Sequence, residues 1–252
     1  VARSLALFAV VLGHLLLAVI DRDPSGSLRG DNLIALYPHL SWLTLIAPMP
    51  IFFAAGGWAN VTATAQSSAA RLRTLMGLGA VVVTMWSGAS IIELLIVGQG
   101  STLADGARIA TQPLWFLTAY IPFAAYGKRI AAVAQHPIIA VGIALVSLTA
   151  IDIARFGFDA NDKWGWPSFF LAWSIPWIIG SWWRHASHSQ SFNERRVGCA
   201  LFIAGSVAAF MLVKAAHYYP ALIDAVPNKR SNTTPPTLFT AAVAVAQTGI
   251  LM

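Results

Sequence analysis

The chain has 252 residues, of which 57% are hydrophobic and only 10% charged, whereas soluble domains run near a quarter charged. With a mean hydropathy of +0.67, this composition excludes an ordinary soluble domain. The formal net charge of +6 sits on basic residues in short loops between apolar runs, which fits lipid head groups and topology signals better than nucleic acid. The single Cys199 excludes an internal disulfide framework.

In chain order, eight apolar runs read as spans, at 2–20, 33–58, 75–97, 113–127, 137–155, 168–183, 197–217 and 236–252. Several approach the ~20 apolar residues that carry a helix across a bilayer core. The fold expected is an all-α, polytopic transmembrane helix bundle forming a single domain over 1–252. The chain begins without Met inside one run and stops inside another, so the domain is expected to be incomplete at its C-terminus. The fourth and sixth runs are short and interrupted by Pro122 and Pro176, breaks that neighbouring helices would cover.

The first run, "ARSLALFAVVLGHLLL", holds Arg3 at one end and His14 deep inside. Eleven residues separate them, about 16 Å along a helix and close to three turns, so both point to roughly one face. A cation near one membrane surface and an imidazole deep in the bilayer suit a long anionic donor whose reactive end reaches the histidine. Titratable groups inside spans are costly, roughly 2.5–3.5 kcal/mol at mid-span, and usually face the bundle interior. With a cytoplasmic N-terminus, His14, His39, Glu93, Asp152, Lys214 and His217 all fall in the outer half of their spans. Snorkelling to the interface is the alternative for Lys214 and His217. Six of the ten Trp residues lie between Trp164 and Trp183, which reads as an interfacial aromatic belt or as a stacking surface for a sugar ring.

Several stretches together resemble the acyltransferase-3 family of integral membrane acyltransferases. "RSLALFAVVLGH" is similar to that family's Arg-x10-His signature, "MPIFFAAGGWAN" (49–60) to its Pro-x-Phe-Phe-x-x-Ser-Gly segment, and "RLRTL" (71–75) to its basic cytoplasmic loop. "PLWFLTAY" (113–120) resembles its Leu-Trp-Phe-Leu stretch, and "SNTTPPTL" followed by "AQTGIL" resembles a late loop and helix of actinobacterial-type members. Gly56-Gly57 stands where the family has Ser-Gly, and the Trp-rich stretch does not follow the family pattern closely.

The resemblance implies a multi-pass enzyme of the bacterial inner (plasma) membrane with a cytoplasmic N-terminus and usually about ten spans. It would move an acyl group, often acetyl, from cytoplasmic acyl-CoA to a hydroxyl of a cell-envelope carbohydrate or glycolipid. Histidine is the usual base near neutral pH, and His14 takes that role. Glu93 and Asp152 are candidates for the acid that orients it. Arg3, Arg71 and Arg73 would hold the donor's phosphates, since a guanidinium fork suits phosphate oxygens; topology determination is the alternative for Arg71 and Arg73. His39, Trp115 and Phe116 are candidate substrate contacts, with packing the alternative for the two aromatic residues. The sequence carries no Walker-type loop, no Cys/His metal spacing and no Gly-x-Ser-x-Gly elbow, so no metal is expected. The competing class is a transporter or flippase for a lipid-linked saccharide, with His14, Glu93 and Asp152 as a proton relay.

Overall fold

The computed structural model describes Phe8 and residues 18–22, 24, 28–33, 37–98, 102–111, 114–158, 160–222 and 231–252. Arg3 and His14 lie outside the described residues. The described chain is mainly helical. One departure from the all-α expectation is an antiparallel hairpin of β1 (Ala18–Arg22) and β2 (Leu28–Asn32), with Ala18 opposite Asn32 and Arg22 opposite Leu28. Val19 and Ile20 are β-branched and favour the pleated conformation, and the sequence between the strands supplies Pro24 and Gly26 as turn formers.

A 3-10 helix (Pro38–Leu45) leads into α1 (Pro48–Asn60), then α2 (Ala65–Val97), α3 (Thr102–Thr111), α4 (Trp115–Ala125) and α5 (Gly127–Val133). Next come α6 (Pro137–Asp152), prolonged by a π-helical turn (Ile153–Gly157), a 3-10 turn (Asp162–Gly165), α7 (Ser168–Ala186), α8 (Glu194–Ala215) and α9 (Leu238–Leu251). Proline opens α1 and α6, where its missing N–H costs nothing. At α8 the Asn193 side chain accepts the Arg196 N–H at 2.9 Å, an N-cap that satisfies one orphan donor.

Among the described residues, four helical stretches are long and apolar enough to cross a membrane: His39–Asn60, Leu72–Val97, Pro137–Gly157 and Glu194–Ala215. They coincide with the second, third, fifth and seventh expected spans and give the chain the architecture of a multi-pass membrane protein. The first expected span, 2–20, lies almost wholly outside the described residues, and the other three runs differ from those four. The run 113–127 breaks at Tyr126 into α4 and α5, eleven and seven residues long. The run 168–183 becomes α7, whose Trp, Ser and Gly dilute its hydropathy and which buries ten residues inside protein. The run 236–252 yields α9, an apolar helix of 14 residues that continues to the penultimate position of the sequence.

α7 is the central post, with α1, α4, α5, α6 and α9 packed on it. Glycines let backbones approach at two crossings. A Cβ on Gly57 would overlap the Trp177 carbonyl oxygen, and one on Gly180 would overlap the Ala54 carbonyl oxygen, so α1 and α7 cross on reciprocal glycines. Gly198 and Gly249 make the same reciprocal contact between α8 and α9. Small residues at such crossings drive association where lipid removes any hydrophobic advantage. By contrast, α2 buries none of its apolar window; it is a peripheral helix.

The contacts define two ends. Trp58 meets Trp183, Trp183 meets Glu194, and Asn60 fills the space over Gly127. The ends of α1 and α7 and the starts of α5 and α8 therefore lie together. At the opposite end, the last residue of α6 meets the first of α9 and the segment after α8.

Candidate functional site

Asp152 closes α6 and is 2% exposed. A carboxylate so buried must be paired or hydrogen-bonded, and this one gathers three segments. Its Oδ2 accepts the Tyr218 hydroxyl at 2.8 Å and the Leu238 backbone N–H at 2.7 Å. Leu238 is the first residue of α9, so the carboxylate caps that helix across 86 positions of sequence and meets the positive end of its dipole. Its Oδ1 lies 3.7 Å from a guanidinium nitrogen of Arg155, itself 1% exposed. Arg155 also sits 5.1 Å over the Phe156 ring, in the π-helical turn that widens α6 at this point. Such turns occur mostly at functional sites.

Tyr218 is placed by a strained turn. His217 has φ 56°, left-handed backbone that favours glycine. That conformation lets the Tyr218 N–H return to the Leu212 carbonyl, six positions back, at 3.2 Å and so close the end of α8. Burial first, and then the Asp152 carboxylate, hold the Tyr218 phenol above its usual range. The phenol therefore stays a donor to Asp152.

The stretch "SNTTPPTL" builds the wall beside this cluster. Asn232 is buried; its Nδ2 donates to the carbonyls of Tyr219 and Ala221, at 2.8 and 2.7 Å, and its Oδ1 accepts the Thr237 hydroxyl at 2.9 Å. Thr240 donates to the Asn232 carbonyl. The Leu222 N–H donates to Thr44 Oγ1 at 2.9 Å, which ties the wall to the first 3-10 helix. Every one of these bonds satisfies a group that membrane burial would otherwise leave costly.

The other residues expected at a site fall elsewhere. Glu93 is half-buried near the end of α2, and its Oε2 accepts the Leu103 N–H at 2.7 Å. It thereby caps α3, which packs mainly on α2 and β2. His39 is exposed in the first 3-10 helix, edge-on to Tyr37 at 6.0 Å. Arg73 is exposed in α2; of Arg71 only the backbone, in the same helix, is described. Trp115 and Phe116 are half-buried against an aromatic cluster, Trp115 at 6.1 Å from Trp173 and Phe116 at 6.0 Å from Phe52. The Trp-rich stretch divides by depth: Trp173 and Trp177 are core, stacked on Phe53 and Phe123, while Trp164 and Trp166 are exposed.

Arg155 and Tyr218 are not among the residues expected from the sequence. The Asp152–Arg155 spacing of one helical turn is the signal that points to the first. Nothing local points to Tyr218, which is 66 residues from its partner. Among the described residues no group of His, Cys, Asp and Glu could hold a metal ion. The sequence matches no protein-family model, no curated protein and no solved structure.

Proposed function

We propose that the protein is a membrane-embedded O-acyltransferase, moving an acyl group, acetyl by expectation, from cytoplasmic acyl-CoA to a hydroxyl of a cell-envelope carbohydrate or glycolipid in a bacterial inner membrane. The observation that supports it best is convergence. Three separate stretches that resemble the acyltransferase-3 family, 49–60, 71–75 and 113–120, meet in one aromatic cluster. Phe52 packs 4.9 Å from Tyr120 and 6.0 Å from Phe116, Phe53 lies 5.8 Å from Tyr120, and Leu72 and Leu75 close on the same group. The end of the bundle where α1 and α7 finish and α5 and α8 begin carries Arg129, Arg184, Arg195 and Arg196, with Arg73 early in α2, a basic rim in keeping with a cytoplasmic face and with phosphate binding.

In this reading His14 accepts the acceptor hydroxyl's proton as the oxygen attacks the thioester carbonyl. The C–S bond then breaks, the acyl group passes to oxygen, and the CoA thiolate takes the proton back from the imidazolium. Arg3, Arg71 and Arg73 hold the donor's phosphates. Of the two acids, Asp152 already has two donors and a guanidinium beside it. It serves this mechanism best by fixing the outer end of the bundle around the acceptor. The transporter reading gains nothing specific, because Glu93 and Asp152 each cap a different helix.

The test is acyl transfer in membrane vesicles, followed by the mass of envelope glycans and lipids. His14→Ala should lower the rate by roughly 10²–10⁴-fold, the usual contribution of a positioned base, while still inserting. Transfer at the wild-type rate in that variant would sink the assignment. Proton-gradient-driven movement of a lipid-linked saccharide without acyl-CoA consumption would favour transport instead.

A further inference from the structure

We propose that the 3-10 turn between α6 and α7 is a saccharide-binding platform, with Trp164 and Trp166 as stacking surfaces for pyranose rings. This rests on the reading that the acceptor is a carbohydrate, and it names where that acceptor is held.

The two indoles are 71% and 65% exposed, although burying an aromatic side chain is worth about 1.5–3 kcal/mol. Their backbone is nevertheless held by local hydrogen bonds. Asn161 Oδ1 accepts the Lys163 N–H at 2.9 Å, the Trp164 N–H donates to the Asn161 carbonyl at 2.9 Å, and the Trp166 N–H donates to the Lys163 carbonyl at 3.2 Å. Gly165, between the two tryptophans, has no room for a side chain: a Cβ there would overlap Pro235 and stand 3.1 Å from Arg155 Cδ. The turn is thus seated directly on the buried Arg155–Asp152 pair. Ion pairs of this kind add little net stability compared with apolar packing. Here Arg155 supports the backbone of the turn, and the Trp166 ring packs 5.4 Å from Phe169, a pre-ordering that lowers the entropic cost of binding.

The chemistry around the rings favours a sugar over a lipid chain. An indole face carries partial negative charge and attracts the C–H-rich face of a pyranose, while hydroxyls need polar partners at the rim. Asn161 and Lys163, both exposed, provide them beside Trp164. The turn begins five residues beyond Gly157, where the candidate span ends. Phe156, beneath the Arg155 guanidinium and edge-on to Tyr218, and the exposed Phe158 mark the end of the span itself.

The test uses the full chain in lipid nanodiscs, without acyl-CoA, on an array of immobilised neutral hexose, N-acetylhexosamine and uronic-acid oligosaccharides. Wild type should be retained by at least one class. Trp164→Ala and Trp166→Ala should each cut retention at least 10-fold, whereas Trp164→Phe keeps most of it and Phe210→Ala, exposed on α8, leaves it unchanged. Glycan binding without any acyl transfer would uphold the platform and defeat the transferase reading. Wild type retained by no glycan, or Ala variants retained like wild type, would overturn the platform. So would variants that keep glycan binding and lose only partition into phospholipid vesicles, the behaviour of an interfacial anchor.

Discussion

Tyr218 shows how one residue can hold a buried acid in place. Its phenol is raised by burial and by Asp152, so the unfolded chain loses the proton first, near pH 10. The stability it contributes is therefore complete below that pH and declines as pH climbs towards the folded value. Absorbance at 295 nm should rise between pH 9 and 11 by the same amount in wild type and in Tyr218→Phe, because Tyr218 does not contribute to it. A larger rise in wild type would refute the raised value. The same substitution removes a hydrogen bond to a charged group and should lower unfolding free energy by about 1.5–3 kcal/mol. One residue earlier, His217→Gly should stabilise by about 1 kcal/mol, since glycine takes the left-handed cap without strain; thermal melting in detergent measures it. Loss of stability there would mean that the imidazole makes a compensating contact. Of this cluster the sequence shows Asp152, as an acid stranded in an apolar run, and Arg155 one helical turn on. A hydrogen bond spanning 66 positions leaves no periodic trace.

At the scale of elements, the glycines separate crossings from surfaces. Gly57→Ala or Gly180→Ala should force α1 from α7 and lower the melting temperature by several degrees, because each new methyl meets a backbone carbonyl rather than a movable side chain. Gly88→Ala, with nothing within 4 Å of its would-be Cβ, should be neutral or slightly stabilising through helix propensity. Equal melting points for all three variants would disprove the close crossing. The helices that face outward were legible in the sequence because long apolar runs report solvent: His39–Asn60, Leu72–Val97, Pro137–Gly157 and Glu194–Ala215 follow their runs closely. α7 and α9 run between the same two ends as those four but lie inside the bundle. Their neighbours are protein, so their composition answers to packing: Trp173 and Trp177 fill the core, and Ala241, Ala244 and Gly249 admit close helices. The hairpin after the first run was not foreseen, because its strands are only five residues each and too short to establish a period.

At the scale of the molecule, the two ends predict sidedness. Single cysteines in a Cys199→Ser background at Ala63 and Ser189 should react with a membrane-impermeant maleimide from one side, and a cysteine at Asn161 from the other. Labelling of all three from one face would contradict the arrangement of α1, α6 and α7. The cytoplasmic assignment of the basic end, which belongs to the proposed function, is read from the same experiment on intact spheroplasts.

The cap that Asp152 places on α9 also sets a timetable. The carboxylate is synthesised 86 residues before the N–H it will accept, an interval of roughly 4–17 s at ribosomal speeds of about 5–20 residues per second. The acid must enter or flank the bilayer without Tyr218 for the first 66 of those residues and without Leu238 for all 86. Arg155, made three residues later, is the partner that travels with it. Arg155→Leu should therefore reduce the yield of membrane-inserted chain in a translation–insertion assay more than it lowers the melting point of the molecules that do insert. The ion pair then acts as an escort during biogenesis, and the last helix arrives at a socket already prepared for it.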